Sequence, residues 1–112
     1  MSEPRIQTLA DLDVSLREAA DIPELLGAAY GLDGLILFAG DLAPEFLDLR
    51  SGLLGELFQK FSNYRLPVAF VPPDFAAHGE RFAELAHEHA THPSIRFVRT
   101  EEEARTWLNS HP

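Results

Sequence analysis

The residues with the most chemical potential lie in the run Asp48-Leu49-Arg50-Ser51-Gly52-Leu53-Leu54-Gly55. Read as the N-cap of a helix, Ser51 would accept a hydrogen bond on its hydroxyl from the Leu53 or Leu54 amide. The positive end of that helix would also favour a phosphate or carboxylate at the same place. Gly52 and Gly55 strengthen the interest, because glycine inside a helix costs about 1 kcal/mol relative to alanine. One turn apart, they would admit a backbone or ligand at close range. The plainer reading is a structural cap beside a tight helix–strand contact, and the spacing suits both.

Other groups invite chemistry with less definition. Asp41 and Asp74 form a candidate carboxylate pair for acid–base work or for Mg²⁺, yet each also stands where loops use Asp to turn. His87-Glu88-His89 with His92 lacks the HExxH spacing that sets two ligands on one helical face, so no metal site is expected. The triplet Glu101-Glu102-Glu103 reads as an acidic first turn matched to a helix dipole. Phe46 and Phe75 are expected to be exposed near the site, with Phe58 completing an apolar pocket. Tyr64 and Trp107 read as core or rim aromatics. No serine–histidine–acid grouping, P-loop or GxGxxG is present, so no catalytic set is named and no cofactor is expected.

The elements that must position these groups alternate in period. Ile22, Leu25, Leu26 and Ala29 recur at helical spacing, with Asp21 and Pro23 suited to the first turn and Gly31 to the end. Gly34 to Ala39 is a short apolar run, the mark of a strand covered on both faces. Pro44 and Phe46 to Leu49 suggest a helical turn. Leu53, Leu54, Leu57, Phe58 and Phe61 form the stripe of a helix from Gly52 to about Tyr64. Val68 to Val71 is a second buried-type strand, and residues 79–90 fit another helix. Ile95 to Val98 is the last strand. Thr100 and Glu103 then match a capping box ahead of a helix that buries Ala104, Trp107 and Leu108.

The pattern predicts one α/β domain over residues 1–112, with a mostly parallel sheet of about four or five strands and helices on its faces. Residues 1–20 are expected to be irregular or to supply edge strands from Ile6–Leu9 and Val14–Leu16; residues 21–109 form the alternating core. In such sheets ligands gather beyond the carboxyl ends of the strands. That edge would carry Asp41, Asp74 and Arg99, with Ser51 returning to it.

Composition narrows the partners. The chain has 18 acidic and 9 basic residues, a formal charge of -9, 46% hydrophobic residues and no cysteine. Disulfides, thiol catalysis and cysteine-ligated zinc are excluded. The charge disfavours nucleic acid and anionic lipid, so neither a nucleic-acid nor a membrane partner is expected. No secretory pattern opens the sequence and no apolar run is long enough to span a bilayer, which makes the cytoplasm the default location.

The segment Pro44-Glu45-Phe46-Leu47-Asp48-Leu49-Arg50-Ser51-Gly52-Leu53-Leu54-Gly55-Glu56, followed by Gln59-Lys60-Phe61 and Asn63-Tyr64-Arg65, resembles the family known as domain of unknown function 4180. The match runs more loosely to Phe97-Val98, Glu103-Ala104 and Leu108. Leu47 stands where the family pattern has a second phenylalanine. Pro72-Pro73-Asp74-Phe75 and His87-Glu88-His89-Ala90 depart from its usual turns. That family carries no function to transfer.

Ser51-Gly52-Leu53 is also similar to the serine–glycine–leucine of STAS domains, the sulfate transporter and anti-sigma factor antagonist class. That likeness implies a protein-binding module whose hydroxyl is phosphorylated by a partner kinase to block binding. An unknown protein partner is thus one expectation, with homodimerisation open. A small-ligand carrier or sensor using the carboxyl edge is the alternative, and an enzyme ranks last.

Overall fold

A computed structural model of the chain describes residues 5–48, 51–71 and 95–110. The expected helix over residues 79–90, the Pro72–Phe75 turn and the His87–His92 cluster lie outside the described residues. Strands β1 (Ile6–Thr8), β2 (Gly34–Phe38), β3 (Val68–Val71) and β4 (Ile95–Phe97) form one sheet in the order β1-β2-β3-β4. Every pairing is parallel, with Leu35 opposite Val68 and Val68 opposite Ile95. The α/β architecture with a parallel sheet is therefore as the alternation of periods requires.

The start of the chain resolves into two different things. Ile6–Thr8 is an edge strand beside β2. Val14–Leu16 is not a strand; Leu16 makes a lone parallel bridge with Leu42 and is buried. Between them lies the single turn α1 (Leu9–Leu12), opened by a capping box. The Thr8 hydroxyl accepts from the Asp11 amide at 3.1 Å, and the Asp11 carboxylate accepts from the Thr8 amide at 3.0 Å.

The layers follow from the side-chain alternation of the strands. Leu35, Leu37, Val68, Phe70, Ile95 and Phe97 pack toward helices α2 (Asp21–Ala28) and α4 (Leu53–Asn63). Ile22, Leu25 and Leu26 are the buried stripe of α2; Leu54, Leu57, Phe58 and Phe61 are that of α4. Phe58 meets Phe70 and Phe97 edge-on, with ring centroids 6.0 and 5.7 Å apart. This arrangement suits the aromatic quadrupole and pins α4 across two strands.

Ile36, Ala69, Val71 and Val98 face the other way, toward Ala104 and Leu108 of α5 (Glu101–Ser110). Thr100 opens α5 as expected, its hydroxyl accepting from the Glu103 amide at 3.1 Å. The reciprocal arm differs: the Glu103 carboxylate takes the Arg99 amide at 3.5 Å. Trp107 is half-buried under the Arg96 guanidinium, 5.2 Å from the ring centre.

Gly34 lets α5 lie this close. A Cβ there would stand 2.9 Å from one methyl of Leu108 and 3.3 Å from its Cγ. Leu108 is itself buried and has little room to retreat. Gly34→Ala should lower stability by about 1–3 kcal/mol, the usual cost of overpacking. A urea midpoint equal to that of the unaltered chain would show that α5 does not bear on β2 in this way.

Candidate functional site

The turn into α4 is built one residue differently from the expected cap. Gly52, not Ser51, is the N-cap, and it holds a left-handed backbone at φ 76°. A non-glycine residue would be strained there, so the glycine's backbone freedom moves the helix start past the serine. Ser51 is exposed just outside, and its hydroxyl fastens two helices together. Its Oγ lies 2.6 Å from the Glu45 carbonyl in α3 (Pro44–Leu47) and 2.8 Å from that of Asp48, and it accepts from the Leu53 amide at 3.2 Å. A hydroxyl has one proton, so the two carbonyls share it.

The glycines do not create a close approach. No heavy atom lies within 4 Å of where a Cβ would stand on Gly52 or Gly55. Gly52 is there for its backbone angle, and Gly55 sits exposed in the helix with open space beside it.

At the carboxyl edge, Asp41 is exposed in a short 3₁₀ turn directly after β2. It borders an open polar cleft of about 330 Å³ with Asp13, Val14 and Ser15 of the loop after α1. Arg99 follows β4, its amide held by Glu103. Asp41, Ser51 and Arg99 thus share an edge by topology. Asp74 and Phe75 lie outside the described residues. Among the described residues no group of acids and histidines is placed to hold a metal ion.

Three expectations about aromatics are corrected. Phe46 is fully buried, because the turn of α3 folds it under the chain into the main core beside α4. Phe58 is committed to the same core, so the pocket drawn from these rings is filled by packing. Tyr64 is neither core nor rim: it is 61% exposed, and Tyr30 is 86% exposed. They are the large hydrophobic side chains left in water among the described residues.

Both tyrosines flank a groove between α2 and α4, away from the edge that the strand rule favours. The groove has a volume of about 580 Å³ along the helices and continues into a second hollow of about 270 Å³ toward the amino ends of β2 and β3. Its α2 wall is uncharged, from Ile22 and Pro23 through Leu26 to Tyr30. Its α4 wall carries Glu56, then Lys60, then Tyr64, with Arg65 at the far end. Tyr30 and Tyr64 each close a helix just past its apolar stripe. Each stands beside a left-handed residue, Gly31 and Arg65; the glycine after Tyr30 is a signal that the sequence carries, and Arg65 gives none for Tyr64.

The titration of Asp11 follows from its cap. Hydrogen bonds from the Thr8 backbone and side chain hold its carboxyl below the ordinary Asp value. A depressed folded-state value stabilises the fold above the unfolded value, about pH 3.9, and that contribution is lost as pH falls through the lowered one. Asp11→Asn should therefore flatten the acid limb of a stability-versus-pH curve. An unchanged limb would show that the cap is not formed in solution.

The two glycines of the turn should separate cleanly. Gly55→Ala is expected to raise stability by about 0.5–1 kcal/mol through helix propensity. Gly52→Ala should lower it by about 1–2 kcal/mol, because its backbone angle disfavours a Cβ. Thermal unfolding of both variants checks this, and equal shifts would contradict the assigned helix start.

No curated protein and no solved structure shows a significant match to this chain. A family model does match, over residues 2–108, and it takes in the sheet, the α3–α4 turn and the groove together. The chain belongs to the family described as Domain of unknown function (DUF4180).

Proposed function

We propose that this chain is a cytoplasmic protein-binding module that receives its partner in the groove between α2 and α4. The observation that carries this is the pair of exposed tyrosines flanking an apolar cleft. Tyrosine combines a large apolar body with a polar tip and loses little conformational freedom on binding, which is why it is favoured at recognition surfaces. A groove between two parallel-running helices also suits an amphipathic segment laid along it. The absence of cysteine and the acidic composition are in keeping with the proposed compartment.

Ser51 supplies the regulatory half of this reading. It opens α4, the helix that forms one wall of the groove. A STAS-like switch would place a phosphate on its hydroxyl. That step adds about two negative charges and removes the proton shared by the Glu45 and Asp48 carbonyls. Those carbonyls would lose their donor, while the positive end of α4 would draw the phosphate to its own amides, so the tie to α3 is released and the groove is reshaped from its end.

A small ligand is the second reading, favoured by the groove's volume, which falls in the range of small-molecule sites. The residue that distinguishes the two is Ser51, because a carrier has no use for a switch at the helix start.

The test is a pull-down with the full chain and three variants. Tyr30→Ala with Tyr64→Ala should lose the partner with the fold intact by circular dichroism. Each anchor is expected to contribute about 2 kcal/mol if it is a hot spot. Ser51→Asp should weaken capture and Ser51→Ala should keep it. Retention of every partner by the tyrosine double variant would sink the groove reading, and identical behaviour of both Ser51 variants would sink the switch.

A further inference from the structure

Resting on the groove as the binding site, we infer that its occupant is an amphipathic protein segment whose carboxylates lie toward the Arg65 end. The two walls differ in kind. The α2 wall offers only uncharged surface, whereas the α4 wall grades from Glu56 to Lys60 to Arg65. Neither Lys60 nor Arg65 joins the ion pairing or side-chain hydrogen bonding among the described residues. In a chain with twice as many acidic as basic residues, a cation left without a carboxylate is conspicuous. A third cation stands close by: the Arg5 guanidinium lies 4.0 Å from where a Cβ on Gly31 would be, and Gly31 lines the same hollow.

Arg65 adds a conformational argument. The Leu66 amide donates to the Phe61 carbonyl at 3.0 Å and the Arg65 amide to that of Ser62 at 3.1 Å, the double bond pattern that closes a helix through a left-handed residue. Glycine normally holds that position, yet here arginine does at φ 55°. A left-handed backbone is disfavoured for any residue but glycine, so the cation is kept at the mouth of the groove against the preference of the fold.

The partner that fits presents apolar side chains to the α2 wall between the tyrosines and carboxylates to Lys60 and Arg65. Glu56 opposes an acid at the other end, which sets the segment's direction. The overall negative charge does not prevent seating. At physiological ionic strength it is screened over about 8 Å, leaving the nearest cations to decide.

The probe is a fluorescein-labelled synthetic peptide with phenylalanines one helical turn apart and glutamates along one side, compared with a twin bearing lysines in their place. Binding to the full chain is followed by anisotropy and by the ring signals of Tyr30 and Tyr64 in NMR. The glutamate peptide should bind tighter and shift both rings. Lys60→Glu should weaken it by about fivefold or more, in the range for partly exposed charge pairs. Arg65→Gly should weaken it comparably while leaving the unfolding midpoint equal or higher, which separates lost charge from lost structure. If the lysine twin binds as tightly and shifts the same rings, the acidic partner is overturned and the groove reading stands. If neither peptide moves the rings, the inference fails, and the tyrosine double variant in the pull-down independently decides the groove.

Discussion

Leu35, Ile36, Leu37, Val68, Ala69 and Phe70 expose none of their surface, so the two central strands are shut off from water on both faces. Parallel strands with this composition cannot stand alone. Each face must be covered by helices carried in on the connections between and after the strands. The β1-to-β2 and β2-to-β3 crossovers both deliver their helices, α2 and α4, to one face, as a constant crossover hand demands when the strands advance in order. The second face receives α5, which returns from β4 across the sheet. At Gly34 that return comes close enough to the strand to leave no room for a Cβ.

Covering the first face with two adjacent helices has a geometric by-product. Two cylinders lying side by side on a flat sheet leave a furrow on their outer surface. In most bundles long side chains fill such a furrow. Here Ala19, Pro23 and Gly27, which are short, stand among Ile22, Leu26 and Tyr30 on the α2 side, and the furrow stays open. The strand order advances without reversing among the described strands, and the crevice that a reversal opens beside the carboxyl ends is not formed. The groove between the helices and the modest edge cleft at Asp41 thus have one origin in topology.

Much of the fold was legible because burial leaves periodic traces. The stripe Ile22-Leu25-Leu26-Ala29 and the stripe Leu54-Leu57-Phe58-Phe61 are buried as their spacing required, and the apolar runs of β2 and β3 became the sheet centre. The misreadings arise where periodicity carries no information. A serine before a glycine looks like a cap, but the left-handed angle of Gly52 is invisible in composition and shifts the helix start by one residue. Phe46 sits in a four-residue turn, too short to reveal which side faces inward. Tyr30 and Tyr64 fall on the boundary between stripe and solvent, where an aromatic side chain serves either as core or as contact surface. The groove depends on how two helices lie against each other, which no single stretch of sequence encodes.

The late position of α5 bears on how the molecule is made. Ile36, Ala69 and Val71 come from strands that leave the ribosome well before residues 101–110, and among the described residues α5 is the helix that covers them. During synthesis at about 5–20 residues per second, that apolar face waits seconds for its cover. The strands beneath it are meanwhile free to meet another nascent chain. The acidic first turn of α5, Glu101-Glu102-Glu103, gives the arriving segment a soluble leading end, so the piece that ends this vulnerable interval is itself poorly suited to aggregate.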